Sequence, residues 1–116
     1  MITGMHIMIN STDPAATAAF LREKLGLPSF DAGGGFMIFE APELELANHE
    51  ADGASYDISF FCDDIEATKA ELEGRGVTFT DGIGEETWGR TANFALPDGR
   101  SVLLYERKYA RGKPVG

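Results

Sequence analysis

Ala16-Thr17-Ala18-Ala19-Phe20-Leu21 and Ala67-Thr68-Lys69-Ala70-Glu71-Leu72 share the pattern Ala-Thr-x-Ala-x-Leu at an offset of 51 residues, and the same offset pairs Asp13 with Asp64. One deletion later, at an offset of 50, Gly26-Leu27 aligns with Gly76-Val77 and Asp31 with Asp81. A unit used twice constrains an architecture more tightly than summed propensities do. Upstream of the first copy lies an extended apolar run, residues 5–9, and then Thr12-Asp13-Pro14, an N-cap with a first-turn proline. A helix is expected from there to Gly26, with Ala16, Phe20, Leu21 and Leu25 turning one apolar stripe toward a sheet. Strands are expected near residues 28–31, 36–40 and 43–48, with Gly33-Gly34-Gly35 and Ala41-Pro42 as turns.

The second half follows the same programme. A strand at 56–62 leads to Asp63 or Asp64 as cap of a helix running to about Arg75, its spacing marked by Ile65, Thr68, Lys69 and Leu72. Strands follow near 77–80, 90–96 and 101–106, the last two joined by Pro97-Asp98-Gly99. Both halves read as strand, helix and three strands. Module one spans about 5–50, module two about 55–106, and residues 107–116 form a basic tail. The glycine triplet lacks the strand, spacing and lysine of a nucleotide-binding loop, so it is read as turn chemistry.

A chain of 116 residues is one domain's worth and buries roughly two-thirds of its unfolded surface. The single cysteine, Cys62, excludes a disulfide framework and a thiolate zinc cluster, and fits a reducing compartment. A cytoplasmic location is expected, because the opening residues lack a basic segment and no apolar run approaches the roughly 18 residues of a membrane span. Nineteen acids stand against ten bases, and four of the bases, Arg107, Lys108, Arg111 and Lys113, lie in the tail. Residues 1–106 therefore hold 19 acids and 6 bases, a formal charge of −13. Such a body repels phosphate backbones and favours cationic ligands, so nucleic acid is not an expected partner.

Further fragments occur in a fixed order: His6 seven residues before Asp13, Phe20 and Leu25-Gly26-Leu27, Ile58-Ser59-Phe60 leading to Asp63-Asp64-Ile65, then Trp88-Gly89-Arg90 and Pro97-Asp98-Gly99. Together they resemble the vicinal oxygen chelate superfamily, of the glyoxalase, bleomycin-resistance protein and dioxygenase type, over residues 5–106. The resemblance implies an α+β fold in which two βαβββ modules form curled mixed β-sheets around a cleft, usually in a homodimer. In metal-binding members a divalent ion sits in that cleft. Carried over, the first ligand position falls on His6, and its mate 51 residues later on Asp57, where a histidine is usual. The closing glutamate, four residues after the glycine of the last turn, is Leu103 here. Aligning Leu44 and Leu46 with Val102 and Leu104 makes Glu45 the mate of Leu103, so His6, Glu45 and Asp57 are the one set able to hold nickel, zinc, iron or manganese. His49 shares a strand face with Glu45 and Ala47 and would add a ligand if that face points inward, but beside Asn48 and Glu50 it is read as a surface loop residue.

If Leu103 faces the cleft, alternation turns Ser101 and Tyr105 the same way and sends Val102 and Leu104 toward the helices. Asp57, Ser59 and Phe61 then face inward, as do His6, Met8 and Asn10 from the first strand and Thr91, Asn93 and Ala95 from the penultimate one, with Trp88 at the mouth. Cys62 falls on the helix side, as a small buried apolar residue. The expected ligand-binding residues are His6, Met8, Asn10, Asp57, Ser59, Phe61, Trp88, Asn93, Leu103 and Tyr105. Aromatic plates among amides and hydroxyls suit a planar organic ligand. The leading expectation is a metal-independent small-molecule-binding protein for a cationic or aromatic compound. The alternative is a metal-dependent glyoxalase-like lyase, isomerase or dioxygenase.

Overall fold

A computed structural model describes residues 7–35, 37–40, 43–45, 47, 50, 52–53 and 57–110. Each module's helix starts and stops by the same devices. Asp13 accepts a hydrogen bond on Oδ1 from the Ala16 amide at 3.0 Å and caps α1, Pro14–Ala19. The helix continues through one wider turn, Phe20–Lys24, in which the Leu25 amide reaches back five residues to the Phe20 carbonyl. Gly26 then takes φ +70°, a conformation glycine adopts without a Cβ penalty, and lets the Leu27 amide close on the Leu21 carbonyl. Fifty-one residues after Asp13, Asp64 caps α2, Ile65–Gly74, through the Ala67 amide at 3.1 Å. The two helix ends also meet. Lys24 donates through Nζ to the Arg75 carbonyl, and Arg75 donates through Nη1 to the Lys24 carbonyl at 3.1 Å. These reciprocal contacts put a cation at each helix C-terminus, where the helix dipole favours one.

Two short strands of module one, β1 (Ser29–Asp31) and β2 (Met37–Phe39), form an antiparallel hairpin. Its turn is the glycine triplet, with Asp31 Oδ1 accepting from the amides of Gly33 and Gly35. Module two builds a separate four-stranded sheet in the order β3 (Ser59–Phe61), β6 (Ser101–Arg107), β5 (Gly89–Ala95), β4 (Gly84–Glu85). β3 runs parallel to β6, and the other pairs are antiparallel. Asp98 and Gly99, the latter at φ +89°, turn β5 into β6.

One face of this sheet carries the core. Ala92, Phe94, Val102 and Leu104 are buried with Ile65, Leu72, Val77 and Leu96. Phe94 is 0% exposed, and the rings of Phe20, Phe60 and Phe79 lie 6.2, 6.2 and 5.5 Å from it. Phe20 comes from module one, so the first helical segment packs on the second module's core.

Several expected strands differ. Residues 7–9 of the expected first strand are not in a sheet, and Ile7 and Met8 are exposed; residues 5 and 6 lie outside the described residues. Glu43–Glu45 are likewise outside any ladder, their two carboxylates engaged elsewhere. The strand expected at 77–80 is reduced to one bridge, Phe79 with Phe94, and β4 was not anticipated. Among the described residues no helix is long and apolar enough to cross a membrane. Replacing Phe94 by Ala removes the ring that three others surround and is expected to cost roughly 3–5 kcal/mol in urea unfolding; a loss under about 1 kcal/mol would contradict this packing.

Candidate functional site

The face of the sheet opposite the core is set by the pleat of β6. Val102 and Leu104 point to α2, so Leu103, Tyr105 and Arg107 point away. Register then fills the rows: Ser59, Leu103 and Asn93 lie abreast, followed by Phe61, Tyr105 and Thr91, with Arg107 beside Gly89. The second row is aromatic. Phe61 and Tyr105 lie 5.3 Å apart, and Trp88 stands edge-on to Tyr105, also at 5.3 Å. Gly89 makes room for this, because a Cβ there would collide with Tyr105 Cε1 and fall 2.6 Å from the Glu106 carbonyl oxygen.

At the end of β6 a cleft of about 290 Å³ is lined by Glu43, Phe61, Cys62, Asp63, Glu106, Arg107 and Tyr109. Arg107 forms part of its wall. The guanidinium lies over the Phe61 ring at 4.2 Å, and donates through Nη2 to Glu43 at 2.7 Å and through Nη1 to Glu45 at 3.2 Å. Burial works against its charge, but the two carboxylates outweigh that and raise its pKa further. Tyr105 donates its hydroxyl to Tyr109 at 2.9 Å, and Tyr109 donates in turn to Glu45 Oε1 at 2.8 Å. Desolvation first, and then these partners, push the Tyr109 phenol well above its ordinary range, so it stays protonated. Cys62 packs against the core, and burial raises its thiol pKa to about 11, which leaves it neutral.

The expected site residues divide accordingly. Phe61, Trp88 and Tyr105 come together as one aromatic group. Leu103 sits half-buried between Ser59 and Asn93. Asn93 is held from two sides: Asp81 accepts its backbone amide and its Nδ2, both at 2.8 Å, and Ser101 donates to its Oδ1 at 3.3 Å. Its polar atoms are thus spent on the wall. Asp57 is exposed ahead of β3, next to Ile58, whose carbonyl accepts from the Leu103 amide. Met8 is exposed, and Asn10 lines a different, wide cleft of about 520 Å³ with Ser11, Thr12, Asp98 and Arg100. His6 and His49 lie outside the described residues. Sequence reasoning missed Glu43, Arg107 and Tyr109. The signal was the alternation of β6: carried two residues beyond Tyr105 it reaches Arg107, which charge counting had assigned to the tail.

The family model of the Glyoxalase/Bleomycin resistance protein/Dioxygenase superfamily matches residues 5–103. The chain belongs to that superfamily. No curated protein sequence matches it. Among solved structures, a member of the glyoxalase/bleomycin resistance protein/dioxygenase superfamily from Sphaerobacter thermophilus is 24% identical, covering 91% of this chain and 98% of that one, with a TM-score of 0.63. A lactoylglutathione lyase from Agrobacterium tumefaciens is 20% identical over 81% and 85% of the two chains, with a TM-score of 0.59. TnmS3, an antibiotic binding protein from Streptomyces, is 22% identical over 89% and 100%, with a TM-score of 0.58. At these identities the likeness is one of fold.

Glyoxalase-superfamily membership raises the question of a metal, and the donors described fit one poorly. Leu103 has no lone pair to give. Both oxygens of Glu45 are committed, Oε1 to Tyr109 and Oε2 to Arg107. Among the described residues no three His, Cys, Asp or Glu side chains converge. The carboxylate proposed by pseudo-symmetry therefore serves an ion pair.

Gly89→Ala is expected to push Tyr105 from its place beside Trp88, cost about 1–3 kcal/mol in urea unfolding and shift the Trp88 emission; unchanged stability and emission would contradict the close approach. Asp81 has its pKa lowered, first by the Asn93 side-chain amide and then by the Asn93 backbone amide. A depressed folded pKa adds stability above the unfolded value of about 3.9, and the addition is lost as pH falls through the lower folded value. Asp81→Asn should be less stable than the parent at pH 7, with the gap narrowing below about pH 4. Urea unfolding across pH checks this, and a gap independent of pH contradicts it.

Proposed function

We propose that this protein binds a small planar organic molecule, cationic or aromatic, on the open face of the second module's sheet, without a metal. The carrying observation is Leu103. It stands where the resemblance puts the closing metal ligand, flanked by Ser59 and Asn93 and adjoining the row of Phe61, Tyr105 and Trp88. An apolar side chain among rings presents a surface for stacking rather than a coordination position. The acidic balance of the body supports a cationic preference. A relative of the same fold is described as an antibiotic binding protein, which accords with such a role. The site is proposed to work in a homodimer in the cytoplasm.

Trp88 is the only tryptophan, so its emission reports on the site directly. A planar aromatic cation is expected to quench that emission equally with and without EDTA, and Tyr105→Ala should weaken the binding about tenfold. Stoichiometric nickel, zinc, iron or manganese in the purified protein, lost in His6→Ala, would instead support a metal-dependent lyase, isomerase or dioxygenase and overturn metal independence.

A further inference from the structure

Arg107 is a strand residue whose side chain lines the cleft, with its guanidinium held against aromatic rings and carboxylates. The guanidinium carbon stands 4.2 Å from the centre of the Phe61 ring and 5.9 Å from that of Tyr109. Two nitrogens of the group find two separate carboxylates, Glu43 and Glu45, from the other module. All three charged side chains are well covered, at 21%, 29% and 27% exposure, so their interaction is screened less than a surface pair's. The walls carry the carboxylates of Glu43, Asp63 and Glu106, of which Glu106 also reaches Arg90 at 3.7 Å, with Arg107 as the lining cation.

We propose that the setting of the Arg107 guanidinium, between Phe61 and the carboxylates of Glu43 and Glu45, defines the ligand class of the site: a planar amidinium or guanidinium cation that enters the cleft and takes the place of that side chain. Rings on one side and carboxylates on the other recognise such a cation by stacking and by charge-assisted hydrogen bonds together. The exchange leaves the sheet intact. Arg107 pairs with Gly89 through its backbone, and the Lys108 amide is held by the Trp88 carbonyl at 3.0 Å, so only the side chain has to leave. An anionic ligand anchored by Arg107 fits less well, since it would displace Glu43 and Glu45 and then face the remaining carboxylates of the cleft. This proposal rests on the binding role given above and names its ligand chemistry.

Benzamidine, benzamide and benzoate share one ring and differ in charge, so they separate the readings when titrated against Trp88 emission and in equilibrium dialysis. Arg107→Met is expected to bind benzamidine about tenfold more tightly than the parent, with benzamide and benzoate unaffected. Adding Glu43→Gln and Glu45→Gln to that variant should remove the gain. Should Arg107→Met fail to fold, the Arg107 Nε–H resonance of the parent answers the same question. Saturating benzamidine should abolish the ring-current shift that Phe61 imposes on it, and an unmoved resonance overturns the proposal. So does a folded Arg107→Met with unchanged benzamidine affinity. Benzoate binding to the parent that is lost in Arg107→Met would also overturn it, and would make Arg107 an anion anchor. Failure of all three compounds to bind either protein would overturn the binding role itself, whereas binding of only the neutral or anionic compound removes the cation preference alone.

Discussion

The pleat of β6 is the constraint on which the rest of the molecule depends. It is hydrogen-bonded on both sides, parallel to β3 and antiparallel to β5, so a slip of one residue would break two ladders and exchange its faces. Val102 and Leu104 anchor that register by entering the core under α2. Leu103, Tyr105 and Arg107 are then obliged to face the other way. Glu106 also obeys the alternation, since its Oε1 accepts the Ile65 amide at the start of α2, while Arg90 bridges Glu66, Glu85 and Glu106 on the same side. One face is thereby tied to the helix by apolar packing and ion pairs, and the other carries Leu103, Tyr105 and Arg107.

Among the described residues the two modules are coupled by contacts of different character. Phe20 stacks on Phe94 in the core, the side chains of Lys24 and Arg75 each donate to the other's carbonyl at the helix ends, and Arg107 pairs with Glu43 and Glu45 at the end of the sheet. The first two hold the fold. The third lies on the wall of the cleft, so the side chain that pairs with Glu43 and Glu45 also borders the pocket. A site of this kind links ligand entry to the contact between modules, because a cation that replaces Arg107 inherits both carboxylates.

Features governed by local chemistry were legible in the sequence. The Asp13 and Asp64 caps, the glycine turns at 33–35 and 99, and the shared sheet face of Ser59, Phe61, Leu103 and Tyr105 all follow from short-range rules of capping, positive φ and period-two alternation. Strands at 5–9 and 43–48 were inferred from the same kind of pattern, but a strand also requires a neighbour, and none pairs with the described parts of these segments. Glu45 shows the limit most clearly. Its alignment with Leu103 suggested a ligand, while its true partners, Arg107 and Tyr109, lie 62 and 64 residues away, and alternation along β6 gives the face of Arg107 without naming Glu45 as its partner. Counting Arg107 among the tail charges hid it for a related reason: composition ignores the strand that carries it.

The central claim, that β6 presents Leu103 to a ligand and Leu104 to the core, is tested most directly by methyl-selective NMR with a bound planar aromatic compound. Intermolecular NOEs are expected at the Leu103 methyls and absent from those of Val102 and Leu104. NOEs at Leu104 or Val102 with silence at Leu103 would contradict the orientation of the sheet, and with it the assignment of the binding face.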